Sequence, residues 1–85
     1  MTKEIKIKKI FHDEDPIGLI EGGAPDDEYD LLVEKYVFPM LNITNINDLS
    51  IKLHSLFINQ FDLKIAGSKD KYESIASKIL DLGKQ

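Results

Sequence analysis

Eight of the fifteen acidic residues fall between positions 13 and 30: Asp13, Glu14, Asp15, Glu21, Asp26, Asp27, Glu28 and Asp30. No lysine interrupts them. Carboxylates at this density support two chemistries. They can hold a hard divalent cation together with loop carbonyls, or steer a basic partner through a concentrated negative field. The cation chemistry lacks its ligand pattern. Counted from Asp13, the twelfth position is Ala24, where an EF-hand loop needs a bidentate Glu. No metal is assigned. Many of these acids also have a structural reading. Asp15 before Pro16 ends a helix and starts a turn, and Asp26 to Asp30 sit where a helix N-terminus favours negative charge.

Other reactive residues are sparse. The chain has no cysteine, so there is neither a thiolate nucleophile nor a thiolate zinc site. Gly67-Ser68 reads as a linker or cap. His12, beside Asp13, reads as a solvated or capping residue. His54 falls at the edge of an apolar stripe, where partial burial explains it better than ligation. No glycine-rich loop precedes a Lys-Ser or Lys-Thr pair. The expectation is a non-enzymatic protein with no catalytic residue and no cofactor.

The chain that carries these groups has 85 residues, is 42% apolar and 31% charged, and has a net charge of -4. That length suits one domain, residues 1–85, and half of it could not bury a second core. All eleven basic residues are lysines. An acidic domain without arginine lacks the bidentate phosphate and guanine contacts of nucleic-acid recognition. Lys3, Lys6, Lys8 and Lys9 form a local basic patch, read as a solvated face or as a counterweight to Asp13 to Asp15. No apolar run approaches the ~20 residues of a membrane span. Alternating Ile and Lys follow the first residues in place of a secretory apolar region. A cytoplasmic location is expected.

Four segments must position the acids. Residues 3–12 put Ile7, Ile10 and Phe11 on one helical face; the alternation Ile5-Lys6-Ile7-Lys8 leaves a short strand open. A second helix is expected after Ala24-Pro25, capped by Asp26 or Asp27. Its stripe is Tyr29, Leu32, Val33, Tyr36, Val37 and Met40, and Pro39 should kink or end it near Phe38. A third helix, capped by Asn45 or Asn47, carries Ile46, Leu49, Leu53, Leu56 and Phe57 inward. A fourth starts at an Asp70–Glu73 capping box, buries Tyr72, Ile75, Ala76 and Ile79, and ends at Gly83. Leu31 and Phe38, seven apart, lie opposite the second stripe. They suit either a second neighbouring helix or a surface patch for another copy of the chain. The fold class expected is all-α: four helices, with a Gly/Pro/Asp-rich loop between the first and second.

Asp15-Pro16-Ile17-Gly18 followed by Asp27-Glu28-Tyr29-Asp30 resembles the DPIG…DEYD signature of a family of short bacterial proteins of unknown function. The resemblance extends over about residues 7 to 83, through a Pro-interrupted helix at Tyr36 to Leu41, an amphipathic helix at Asp48 to Phe61 and a last helix at Asp70 to Leu82. Glu14 stands where that family usually carries Trp or another aromatic. The resemblance implies a small all-helical fold and no particular reaction. It singles out Asp15, Pro16, Gly18, Asp27, Glu28, Tyr29 and Asp30. Their expected role is mutual: the loop lies against the start of the second helix, with Tyr29 packed inward and its hydroxyl satisfied by a loop carboxylate or carbonyl.

The functional expectation is a small acidic protein-binding module. Its contacts would be Asp13, Glu14, Asp15, Asp26, Asp27 and Glu28, and its partner a basic protein. One concrete form is an immunity or inhibitor protein covering the basic surface of a toxin or nuclease. The alternative is a structural homo-oligomer, a homodimer for instance, joined through Leu31 and Phe38.

Overall fold

The computed structural model describes residues 2–23 and 28–82. Among them there is no strand. Residues 3–12, whose alternation also fits a strand, are helical: α1 runs Lys3–Glu14. Thr2 caps it through its side chain, which accepts from the Ile5 amide. Ile7 and Phe11 face inward one turn apart, and Ile5 is exposed, as its place off the stripe requires.

The second helix, α2, begins with a turn at Asp30–Leu32. The expected caps Asp26 and Asp27, and Pro25 before them, lie outside the described residues. Through Val33–Val37 it widens to a π-helix, and it closes as a 3-10 turn at Phe38–Met40. Pro39 explains this sequence of turns. It offers no backbone donor, and its ring crowds the carbonyl four residues back. The Phe38 amide reaches five residues back, to the Val33 carbonyl. The turn widens ahead of the ring, and the helix ends at Met40.

That extra residue corrects the expected Leu31–Phe38 face. In a regular helix positions seven apart align; a π-turn rotates all later positions by about one residue's share of a turn. Leu31 is 74% exposed, while Phe38 is half-buried and packs against the core.

The third helix, α3, spans Ile46–Gln60, capped by the Asn45 side chain on the Asp48 amide. Leu49, Leu53, Leu56 and Phe57 are buried. Ile46, expected inward, is 45% exposed because the first turn projects past its neighbours. A short helix that the periodicity does not indicate, α4, occupies Leu63–Ala66, capped by the Asp62 side chain on the Ile65 amide. The last helix, α5, runs Lys69–Leu82. It starts one residue before Asp70, so the expected capping box is not formed; Glu73 instead faces Lys69 across one turn at 3.6 Å. Gly83 lies outside the described residues.

The core draws on every helix. Phe57 is its centre, with ring centroids 6.0 Å from Phe11, 6.4 Å from Tyr29, 5.8 Å from Phe61 and 5.2 Å from Tyr72. α3 packs along α5, and α1 closes against α5 as well. The radius of gyration is 11.9 Å, which matches the ~12 Å expected of a single globular unit this long.

Candidate functional site

The acid-rich stretch begins where α1 stops. Asp15 caps that helix in a left-handed conformation (φ 44°), its amide still bonded to the Phe11 carbonyl. For a residue other than glycine this conformation costs about 1–2 kcal/mol. Three hydrogen bonds to its carboxylate offset the cost. The Ile20 amide donates to Oδ1 at 3.0 Å, the Glu21 amide to Oδ2 at 2.9 Å, and the Tyr29 hydroxyl to Oδ1 at 2.6 Å. Asp15 thus folds the following six residues back over itself.

Tyr29 completes the hub. It is 2% exposed, and its hydroxyl oxygen accepts from the Ile17 and Leu19 amides, both at 3.4 Å. One phenol therefore joins the Asp15 carboxylate to two loop amides. Ile17, Leu19 and Ile20 lie half-buried against the core, and Pro16 is buried. Gly18 turns the chain with a φ of +74° that a larger residue would resist. From α5, Lys71 Nζ donates to the Pro16 carbonyl at 3.3 Å.

The hub is visible in the protonation equilibria. Burial pushes the Asp15 carboxyl up, but the hydrogen bonds from Tyr29 and the loop amides outweigh it and hold the group below the usual range. Burial, then the Asp15 carboxylate, pushes the Tyr29 phenol well above its ordinary value.

The neighbouring acids are engaged within the chain. Glu14 pairs with Lys78 and accepts from Ser74 Oγ at 3.0 Å; Lys78 above all holds its carboxyl low. This polar clamp on α5 occupies the position where the resembling family carries an aromatic. Asp13 pairs with Lys9 at 2.9 Å and contacts His12 Nδ1 at 3.2 Å, with Lys9 the main cause of its lowered pKa. The basic patch is likewise divided: Lys9 serves Asp13, and Lys8 pairs with Glu34 to tie α1 to α2.

Two acids look outward. Glu21 and Glu28 are exposed and make no ion pair among the described residues. Asp26 and Asp27 lie outside the described residues, and Asp30 is half-buried at the first turn of α2. Of the expected contacts, Asp15 is thus a loop organiser, Asp13 and Glu14 are ion-paired, and Glu28 faces solvent. Sequence reasoning does not single out Glu21 as a contact; the available signal is its place two residues past Leu19 beside Gly22-Gly23, where the chain must turn outward. Among the described residues no three His, Asp or Glu side chains converge as metal ligands would.

The two histidines are apart. His54 Nε2 lies 2.9 Å from the Gly67 carbonyl, and its ring stacks on Tyr72 at 5.2 Å. Tyr72 donates to the Ala66 carbonyl at 2.6 Å. Together they fix the end of α4, where Gly67 has a φ of +79°. Among the described residues no helix is long and apolar enough to cross a membrane.

No family model, curated protein or solved structure matches this chain. The resemblance to the DPIG…DEYD family rests on the motif residues themselves.

Proposed function

We propose that the chain is a non-enzymatic protein-binding module that docks a basic partner on the loop between α1 and α2. One observation carries this reading. The loop is fixed by the Asp15–Tyr29 hub while Glu21 and Glu28 point to solvent, in a stretch from 13 to 30 that contains no lysine. A surface ordered before binding loses little entropy on binding, and a field of one sign speeds encounter with the opposite sign. The net charge of -4 adds to that field. In its concrete form the module is an immunity or inhibitor protein covering the basic surface of a toxin or nuclease. Asp13 and Glu14 contribute to the field rather than to direct contacts, and Asp15 holds the loop in shape.

The test is kinetic. The association rate with a basic protein retained from native lysate should fall about tenfold or more as salt rises and the screening length drops below ~10 Å. Reversing Glu21→Lys and Glu28→Lys together should lower it again at low salt, and Asp13→Ser should change it little. A complex indifferent to salt and to both reversals would overturn the proposal.

A further inference from the structure

A second surface differs from the acidic loop in every respect. Between α2 and α3, and along α3, lie two grooves of about 470 and 370 Å³ that share Ile43 and Thr44 as a common wall. The larger is lined by Leu41, Ile46, Ile79 and Leu80, the smaller by Ile51 between Asp48 and Lys52. Ile46 and Ile51 are each 45% exposed. Each groove carries charge of both signs: Lys3 and Asp81 at the larger, Lys52 and Asp48 at the smaller.

We propose that this shoulder seats a second copy of the chain in a two-fold arrangement. Ile51 lies at its centre, and Asp48 of each copy faces Lys52 of the other. Charge decides the occupant. A basic protein gains nothing from a surface with one acid and one base per groove. A copy of a chain with net charge -4 is repelled overall, so it can approach only where the surface is locally neutral, and this shoulder is such a place. The spacing supplies the complementarity. Asp48 and Lys52 are four residues apart, one helical turn, on the outer face of α3. Both are exposed, and neither makes an ion pair among the described residues. A two-fold axis across α3 runs the helix antiparallel to its copy and reverses the order of its residues. Asp48 then meets Lys52 twice, on either side of the paired Ile51 side chains. The shared wall at Ile43 and Thr44, with a groove on each side, lets each copy place that wall in a groove of the other. This surface is separate from the acidic loop, so either proposal can fail while the other stands.

The test reads mass against concentration, by sedimentation or light scattering, from about 10 μM to about 1 mM. The unaltered chain should move from 9.7 kDa towards twice that value. Ile51→Asp should hold it at the single-chain mass. So should Asp48→Lys alone and Lys52→Asp alone, because each sets like charges against each other. Mixed one to one, those two charge variants should regain the doubled mass, with affinity at least about tenfold above either alone. A single-chain mass over the whole range would overturn the proposal, as would a doubled mass indifferent to Ile51→Asp. A mixture of two folded charge variants that stays monomeric would do the same. If Ile51→Asp disturbs folding, the mixing experiment decides by itself.

Discussion

The loop at residues 15–23 and the shoulder at residues 41–52 are both irregular or half-irregular connections, and they solve opposite problems. The loop is polar and has no regular hydrogen-bond ladder, yet its amides at Ile17, Leu19, Ile20 and Glu21 find partners in Asp15 and Tyr29. The shoulder has its caps in place, with Asn45 on the Asp48 amide, yet leaves Ile46 and Ile51 half in water. Polar composition therefore does not equal availability. Asp15 is among the most acidic-looking features of the sequence and the least free to meet a partner. The apolar shoulder, which composition does not advertise, is the less finished surface.

The contrast can be broken at its base, by removing what both regions rest on. Phe57→Ala deletes the ring shared by Phe11, Tyr29, Phe61 and Tyr72. A loss of about 3–5 kcal/mol is expected, a large part of the total stability of a domain this small. Urea unfolding measures it, and a loss under about 1 kcal/mol would mean that the aromatic centre is dispensable.

Tyr29→Phe strikes the loop alone. It leaves Asp15 without its shortest hydrogen bond and two amides without an acceptor. The expected cost is about 1.5–3 kcal/mol, with broadened amide signals from 16–21 and unchanged ones in 46–52. The same variant tests the pH profile. Asp13, Glu14 and Asp15 have lowered folded pKa values, so their stabilisation is complete above the unfolded values near pH 4 and is lost as pH falls through the folded ones. Tyr29 is raised, and burial pushes the Tyr72 phenol up to about 12. Their stabilisation is complete below the ordinary phenol value near 10 and is lost as pH rises towards the folded values. Tyr29→Phe should flatten both limbs, and a urea midpoint that keeps its full acid and alkaline slopes would contradict the hub.

Gly67→Ala probes the third irregular point. At φ +79° a side chain is strained, and its Cβ would lie 3.0 Å from Lys71 Nζ. About 1–2 kcal/mol should be lost, with the His54 ring resonances displaced. The smallest effect separates the acids. Asp13→Ala removes an exposed pair and should cost about 0.5 kcal/mol or less in thermal unfolding, against a far larger loss for Asp15→Ala. Equal losses would erase the distinction between a paired surface acid and a loop organiser.

Helical periodicity locates α1, α3 and α5 because each carries an uninterrupted apolar stripe. It misses α4, since Leu63-Lys64-Ile65-Ala66 is one turn long and exposes two of its apolar side chains. It misplaces Phe38 because wheel geometry assumes a constant rotation per residue, which Pro39 prevents. The Asp15–Tyr29 contact is legible from the paired tetrapeptides and the need of a buried phenol for a partner. The ion pairs of Glu14 with Lys78 and Lys8 with Glu34 join residues far apart in the chain, and local spacing does not encode them. The shoulder is hidden for a related reason: Ile46 and Ile51 look like ordinary stripe members until neighbouring helices are seen to leave them uncovered.

The wide turn in α2 makes chain length itself a packing variable. Between Val33 and Val37 the helix holds one residue more than a regular turn would. Deleting the exposed Lys35 would let the backbone close to ordinary pitch and turn residues 38–40 back by about 100°. Phe38 would leave the core, and the face presented by Leu31 would gain it. A single-codon deletion would thus do what no point substitution there can: exchange a buried aromatic for a surface one without altering either side chain. Shorter versions of this chain lacking that residue should accordingly carry a polar residue in place of Phe38, and the apolar one should appear one step along.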